Sequence, residues 1–284
     1  MATTNNSTHT KDFHLIVFIV LIVSGLILLY YKTFIGLVYD WQHNDNFSHG
    51  FFIPLISGFM IYTLRKPLHD IPFKPFNSGL LLLLLGLCQL IIARIGSEFF
   101  LDRTSLILVL LGLSLFLFGI EWTKKVKIPI FYLIFMIPLP EIIWNRIAFP
   151  MQLFASYWAE IAIQFLGIPI FRQGNVLHLS NTTLEVVDAC SGLRSLVTMF
   201  ALSALVTWFM NASIIRKWIL FFAAIPIAVL ANIIRLTVTA MLASQYGENM
   251  AQGFLHDFSG LLIFAFGLSL LMFVNYLLTK IHFF

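Results

Sequence analysis

The chain has 284 residues, of which 60% are hydrophobic and only 11% are charged, and its formal net charge is +4. A soluble domain carries about 25% charged residues, so the composition excludes an ordinary soluble protein. The positive charge is small and forms no basic stripe, which argues against a nucleic-acid partner. The chain has 2 cysteines, Cys88 and Cys190, too few for a disulfide framework.

Long apolar runs recur along the chain without the alternation that barrel strands show. They predict an all-α polytopic membrane protein, with about eight transmembrane helices of roughly 17–25 residues each. The predicted spans are 14–38, 47–64, 78–96, 104–120, 128–144, 190–210, 217–240 and 255–278. Residues 1–13 are predicted to form a polar cytoplasmic tail, and 14–284 a single transmembrane domain whose first span is not a cleaved signal peptide.

The segment 145–189 is the long connection between the fifth and sixth predicted spans. From Trp144 to Gly167, aromatic residues mix with Glu and Gln, a pattern typical of an interfacial amphipathic helix. From Ile168 to Val187, apolar and polar residues partly alternate, which predicts a small β-hairpin cap with its turn at 180–183. This cap leads directly into Cys190.

Lysine is distributed unevenly between the predicted loops. The loops 39–46, 97–103, 145–189 and 241–254 contain none, whereas cations follow the second, fourth, sixth and eighth spans. By the positive-inside rule, the loops with the cations are cytoplasmic, and both termini lie on the same side. The cations are Arg65, Lys66, Lys74, Lys124, Lys125, Lys127, Arg216, Lys217 and Lys280.

Three side chains that could act together lie at the predicted outer ends of three spans. Cys190 begins the sixth span, Arg235 is near the end of the seventh, and His256 begins the eighth. A nearby cation or a helix amino terminus lowers the pKa of a thiol, which makes the thiolate a better nucleophile. His256 could take the thiol proton and return it to a leaving amine. Arg235 could stabilise an oxyanion or bind a substrate carboxylate.

Other polar residues near these three are candidates for substrate binding or support. Asp188 is placed to cap the sixth span, and Gly192 leaves room for a substrate chain. Arg194 lies one turn after Cys190 and could bind substrate or pair with an acidic group such as Glu185 or Asp188. The remaining candidates are Ser191 and Asn232.

Each of these residues also has an ordinary structural interpretation. A cysteine at a helix end usually packs, and an arginine near a span end often extends to the lipid headgroups. A transporter or channel, with a basic outer vestibule lined by Arg194, Arg235 and His256, is therefore the main alternative to a thiol enzyme. A lipid-linked acyl or glycosyl transferase that uses a histidine, and an inert assembly scaffold, are further alternatives.

Polar residues elsewhere favour structural roles. The types of His43, Asp45 and His49 occur in metal sites, but their spacing matches none, so we expect a turn that caps the second span. No metal or other cofactor is expected. His178 is predicted to lie on the surface of the cap, and Cys88, among leucines, to be a small buried residue.

Several segments together resemble the exosortase/archaeosortase family, and the resemblance covers roughly residues 39–270. The strongest is the run Asp188-Ala189-Cys190-Ser191-Gly192-Leu193-Arg194, followed in order by Arg235 and His256. Weaker similarities are Phe47-Ser48-His49-Gly50 and Met136-Ile137-Pro138-Leu139-Pro140. A histidine at position 256 resembles the bacterial branch, because the archaeal branch usually has arginine there.

The resemblance implies a bacterial membrane transpeptidase, with Cys190 as its nucleophile and Arg235 and His256 as the other catalytic residues. The implied substrates are exported proteins whose C-terminal sorting tail has a short motif such as Pro-Glu-Pro, a transmembrane helix and a basic cluster. The enzyme would cleave near the motif and transfer the protein to a surface acceptor, which could be linked to lipid or polysaccharide. The implied location is the bacterial inner membrane, with the active site on the extracytoplasmic side and a link to exopolysaccharide production.

Overall fold

The structure, a computed structural model, describes residues 5–180, 182–185, 193–246 and 254–280. It is mostly helical, and the chain divides into two compact units, Met1–Asn44 with Pro54–Ile137 and Asp45–Ile53 with Pro138–Phe284. The helices are α1 (Asn5–His43), a 3-10 helix (Asp45–Phe51), α2 (Phe52–Thr63), α3 (Arg65–His69), α4 (Ser78–Ile95), α5 (Phe99–Phe118), α6 (Ile120–Tyr132), a second 3-10 helix (Leu133–Met136), α7 (Glu141–Phe165), α8 (Leu193–Phe209), α9 (Ile214–Tyr246) and α10 (Phe254–Lys280).

In the first unit, α4 and α5 form a closely packed pair because glycines line their contact. A Cβ atom at Gly79 would overlap the backbone of Phe116, and one at Gly112 would overlap the backbone of Leu83. Small residues of this kind allow two helix backbones to approach closely, which favours helix association inside a membrane.

Helix α1 joins α4 and α5 through polar groups near its carboxyl end. Arg103 Nη2 lies 2.6 Å from Asp40 Oδ2, and the Arg103 side chain is only 8% exposed. Thr33 Oγ1 donates a hydrogen bond of 2.6 Å to Asp102 Oδ2, and Arg94 Nε lies 3.2 Å from Asp102 Oδ1. The two arginines thus neutralise the two carboxylates where the three helices meet.

The second unit is arranged around α9, which contacts α7, α8 and α10. Its buried residues recur every three or four positions, as expected for one face of a helix. Half of them are alanine, which allows the neighbouring helices to lie close. The buried residues of this face are Leu220, Ala224, Ile227, Ala228, Ala231, Asn232, Arg235, Leu236, Ala240 and Ala243.

A three-stranded antiparallel sheet, ordered β1-β2-β3, follows α7: β1 (Ile170–Gln173), β2 (Val176–Leu179) and β3 (Thr183–Glu185). Strands β2 and β3 pair Val176 with Glu185, so the predicted hairpin is present, and the turn falls just before Thr183. Strand β1 was not predicted. Its turn to β2 contains Gly174, whose φ of +66° is a conformation that favours glycine.

The structure confirms a helical chain but does not confirm about eight spans. Within the described residues, four helical segments are long and apolar enough to cross a bilayer, namely Val17–His43, Ser78–Ile95, Phe99–Phe118 and Ile214–Gln245. A fifth is added if Ile120–Met136 and Glu141–Phe165 are counted as one broken span. Helix α7 covers most of the predicted interfacial helix, whose place in the membrane stays a prediction.

Two predicted spans are wrong in their limits, and prolines lie close to the helix ends that the prediction missed. The span 47–64 is instead the first 3-10 helix followed by the 12-residue α2, in which Pro54 occupies the first turn. Proline lacks the amide hydrogen needed in a helix interior and is tolerated in the first turn. The span 128–144 was drawn across Pro138 and Pro140, whereas α6 begins earlier, at Ile120, and the helical stretch ends at Met136.

Two further predictions, one about three lysines and one about Cys88, are corrected. Lys124, Lys125 and Lys127 lie in α6 and not in a loop, because Gly119, with φ +89°, both ends α5 and precedes α6. Cys88 is exposed on the surface of α4 and is not buried inside the protein. An apolar surface on a helix that can cross a bilayer is suited to contact with lipid.

We predict that Arg103→Gln destabilises the first unit, because it leaves the Asp40 carboxylate without its cation. Breaking a fully buried ion pair costs about 3–5 kcal/mol. Because the Asp40 side chain keeps 30% exposure, we expect the free energy of unfolding to fall by about 1–3 kcal/mol, measured by thermal unfolding in detergent. Glu121→Gln, which breaks the exposed Glu121–Lys124 pair, is the control and should leave the midpoint unchanged. Equal loss in both variants would contradict this interpretation.

Candidate functional site

The structure describes only some of the residues predicted for the site. Asp188, Cys190, Ser191 and Gly192 lie in 186–192, outside the described residues. His256 belongs to the first turn of α10, and its side chain is not among those described. The side chains of Arg194, Asn232 and Arg235 are described, and all three belong to the second unit.

Arg235 and Asn232 are buried on the face of α9 that contacts its neighbours, with 6% and 1% exposure. Helix α9 continues to Tyr246, so Arg235 lies about 16 Å, or three turns, before its end. The prediction ended this span at 240, six residues before the end of α9, and so placed Arg235 nearer the helix end. A cation buried inside a long apolar helix is costly and is retained mostly where it has a function.

Specific contacts fix the register between α8 and α9. Ser203 Oγ donates a 2.9 Å hydrogen bond to the Leu220 carbonyl oxygen. Met199 shares a buried cluster with Ala224 and Ala228. Positions earlier in α8 therefore meet positions later in α9, as in an antiparallel pair.

Helix α10 is also antiparallel to α9. Leu271 shares a buried cluster with Leu220 and Ile227. A Cβ atom at Gly267 would overlap the Met199 side chain and would lie 3.8 Å from Ile227. Positions earlier in α10 therefore lie level with positions later in α9.

Arg194, in the first turn of α8, contacts the 3-10 helix Asp45–Phe51. Its Nε donates a 3.1 Å hydrogen bond to Asn46 Oδ1, and its Nη2 lies 3.7 Å from Asp45 Oδ2. The predicted pairing with Glu185 or Asp188 concerns side chains outside those described. Sequence reasoning missed Asn46 and Asp45 as partners, although the polar run from Asn44 to His49 was visible.

An ion pair fastens the sheet that precedes Cys190 to α7. Glu160 accepts from the Arg172 backbone amide at 3.2 Å and from Arg172 Nε at 3.1 Å. Arg172 Nη1 and Ser156 Oγ both donate to the Gly174 carbonyl oxygen, at 2.8 and 3.1 Å. Leu177 and Leu179 of β2 also share a buried cluster with α7 and α9. The sheet therefore gives the chain a fixed position at Glu185, shortly before Cys190.

Two other histidines, His43 and His178, have local contacts. His43 Nδ1 lies 2.9 Å from the Tyr39 carbonyl oxygen, and its ring stacks on that of Tyr39. His178, in β2, is half-buried and stacks on Phe171. Within the part of the chain that the structure describes, no group of three or more His, Cys, Asp or Glu side chains could hold a metal ion.

We predict that Glu160→Gln loosens the sheet from α7, because the Arg172 guanidinium loses its carboxylate partner. Hydrogen bonds to charged groups contribute about 1.5–3 kcal/mol, so amide exchange in 170–179 should accelerate about tenfold or more. Glu141→Gln, a change at an exposed residue of the first turn of α7, is the control. If exchange in 170–179 stays at the wild-type rate in Glu160→Gln, the ion pair does not hold the sheet.

Comparison with known proteins identifies the family. A family model described as Transmembrane exosortase (Exosortase_EpsH) matches residues 41–273. No curated protein and no solved structure matches the chain. The family match and the apolar helices show a membrane protein, and exosortases are generally cysteine peptidases or transpeptidases. The match confirms the resemblance seen in the sequence, and the chain belongs to the transmembrane exosortase family.

Proposed function

We propose that the chain is a membrane cysteine transpeptidase that cleaves the C-terminal sorting tails of exported proteins and transfers them to a surface acceptor. Membership of the exosortase family supports this class of activity. The observation that carries the proposal is the burial of Arg235 in α9. The pairing of α9 with α8 and with α10 shows which positions lie at the same height along the bundle, and it relates the height of Arg235 to Cys190 and to His256.

The register of α8 and α9 relates Arg235 to Cys190. Ser203 pairs with Leu220, so Leu193, the first residue of α8 and ten residues before Ser203, lies at about the level of Leu230. Arg235 is five residues further along α9, and Cys190 is three residues before Leu193 in the sequence. The packing of the two helices therefore supports a position for the thiol at the level of Arg235.

The register of α9 and α10 supports the same position for His256. The step from Gly267 back to His256 is about 11 residues along α10, and an equal step forward from Ile227 leads to Val238. Val238 is one helical turn beyond Arg235. His256 is therefore expected within about one turn of the level of Arg235.

The distribution of cations supports an extracytoplasmic site. Arg216 and Lys217 begin α9, and Lys280 ends α10, so all three lie at the end of this bundle opposite to Arg235. By the positive-inside rule, that end faces the cytoplasm. We propose the bacterial inner membrane as the location, with both termini cytoplasmic and the site on the outer side.

The three side chains suit acyl transfer through a thioester. Cys190 Sγ would attack the carbonyl carbon of the scissile peptide bond, while His256 accepts the thiol proton. Arg235 would donate hydrogen bonds to the oxyanion, an interaction worth about 3–4 kcal/mol of the barrier in a site of low dielectric. His256 would then protonate the leaving amine, and an acceptor amine or water would release the acyl group from sulfur.

The proposed substrates are proteins already anchored in the same membrane by a tail resembling the Pro-Glu-Pro class. A substrate with its own transmembrane helix would present its cleavage motif at the height of the bilayer surface. The proposed acceptor is linked to lipid or polysaccharide. Asp188, Ser191, Gly192, Arg194 and Asn232 are proposed to bind the substrate or to support the three catalytic groups.

We predict that Cys190→Ala abolishes processing of a reporter that carries a Pro-Glu-Pro motif, a transmembrane helix and a basic cluster. The reason is that alanine cannot form the thioester. Processing is measured by the size of the reporter in membranes that contain equal amounts of inserted enzyme. Cys88→Ala, at the exposed cysteine of α4, is the matched control and should process normally. Continued processing by a correctly inserted Cys190→Ala protein would refute the assignment of the nucleophile.

A further inference from the structure

We propose that Asn46 is a positioning residue for this reaction, acting through Arg194 on the first turn of α8. This inference rests on the proposed function, because it concerns the helix that directly follows Cys190. Asn46 is 148 residues from Arg194 in sequence, and the structure brings the two side chains into contact.

The contact includes a directed hydrogen bond in which the Arg194 cation is the donor. Arg194 Nε donates to Asn46 Oδ1 at 3.1 Å, and both side chains are partly buried. A guanidinium N–H has a fixed direction, so an acceptor at this position selects one orientation of the arginine side chain. Since Arg194 is in the first turn of α8, this bond restrains the turn that begins three residues after Cys190.

The 3-10 helix Asp45–Phe51 is itself held against α7. Phe47 and Trp144 are both buried, and their rings meet edge to face with centroids 5.1 Å apart. Aromatic pairs of this geometry stabilise a contact beyond the area they bury. The 3-10 helix therefore connects α7, through Trp144, with the start of α8, through Arg194.

Asp45 contributes less to this connection than Asn46. Its carboxylate lies 3.7 Å from Arg194 Nη2, and its side chain is 84% exposed. Exposed ion pairs are weak because water screens the charges. The partly buried hydrogen bond from Arg194 to Asn46 is thus the stronger of these two contacts, and we expect it to hold Arg194 in place.

The test compares reporter processing and thiol alkylation in one set of variants. All variants carry Cys88→Ala, so that Cys190 is the single thiol, and iodoacetamide is the alkylating probe. We expect Asn46→Ala to lower kcat about tenfold with little change in KM, and to slow alkylation of Cys190. Asn46→Asp keeps an acceptor oxygen for Arg194 Nε and should retain most activity. Asp45→Asn, the neighbouring control, should have a small effect.

A double-mutant comparison separates positioning from a general loss of structure. In an Arg194→Ala background, Asn46→Ala should cause no further loss, because the two residues act through one bond. If Asn46→Ala does not insert correctly, Arg194→Lys replaces it: lysine keeps the charge but lacks the guanidinium Nε, and the same fall in kcat is expected.

The outcomes distinguish this inference from the proposed function. If Cys190→Ala is inactive while Asn46→Ala and Arg194→Lys both match the wild type in kcat and alkylation, only the role of Asn46 is refuted. Additive losses in the double mutant would also refute it. If Cys190→Ala remains active, the proposed function itself is wrong.

Discussion

The packing of α9 against three other helices is the constraint on which the second unit depends. Alanines at 224, 228, 231, 240 and 243 bring α7, α8 and α10 close to its backbone. Because this face is fully enclosed, any polar side chain on it is removed from water and lipid. Asn232 and Arg235 are on this face, so their positions are set by the helix contacts and not by their own flexibility.

The helix contacts of α9 connect the fold with the proposed chemistry. One antiparallel neighbour, α8, begins after the segment with Cys190, and the other, α10, begins beside His256. The sheet on α7 and the 3-10 helix around Asn46 add two further attachments, one before the thiol and one after it. The proposed transpeptidase acts on membrane-anchored tails, so its site must lie at the height where the cleavage motif leaves the bilayer. The cations at the opposite end of α9 and α10 favour an extracytoplasmic position for this site.

The sequence predicted the helical class and the limits of several helices well, because apolar runs end where polar residues or glycine begin. Helix α4 agrees with its prediction within one residue at its carboxyl end. The predictions failed at 47–64 and 128–144, where prolines lie close to helix ends that hydrophobicity alone does not mark. In the site, Arg235 and Asn232 were found as polar residues in an apolar helix. The contact of Arg194 with Asn46 was missed, because periodicity carries no information about pairs that are far apart in sequence.

The most direct measurement is cross-linking of Cys190 to cysteines introduced at the two other proposed catalytic positions. In a Cys88→Ala background, Arg235→Cys and His256→Cys are treated with a short bifunctional maleimide, and the control is Ser269→Cys, exposed on α10 several turns beyond His256. The account predicts efficient intramolecular cross-links to positions 235 and 256 and none to 269. Equal reactivity with the reagent but no cross-link at either catalytic position would show that the three groups do not share a site.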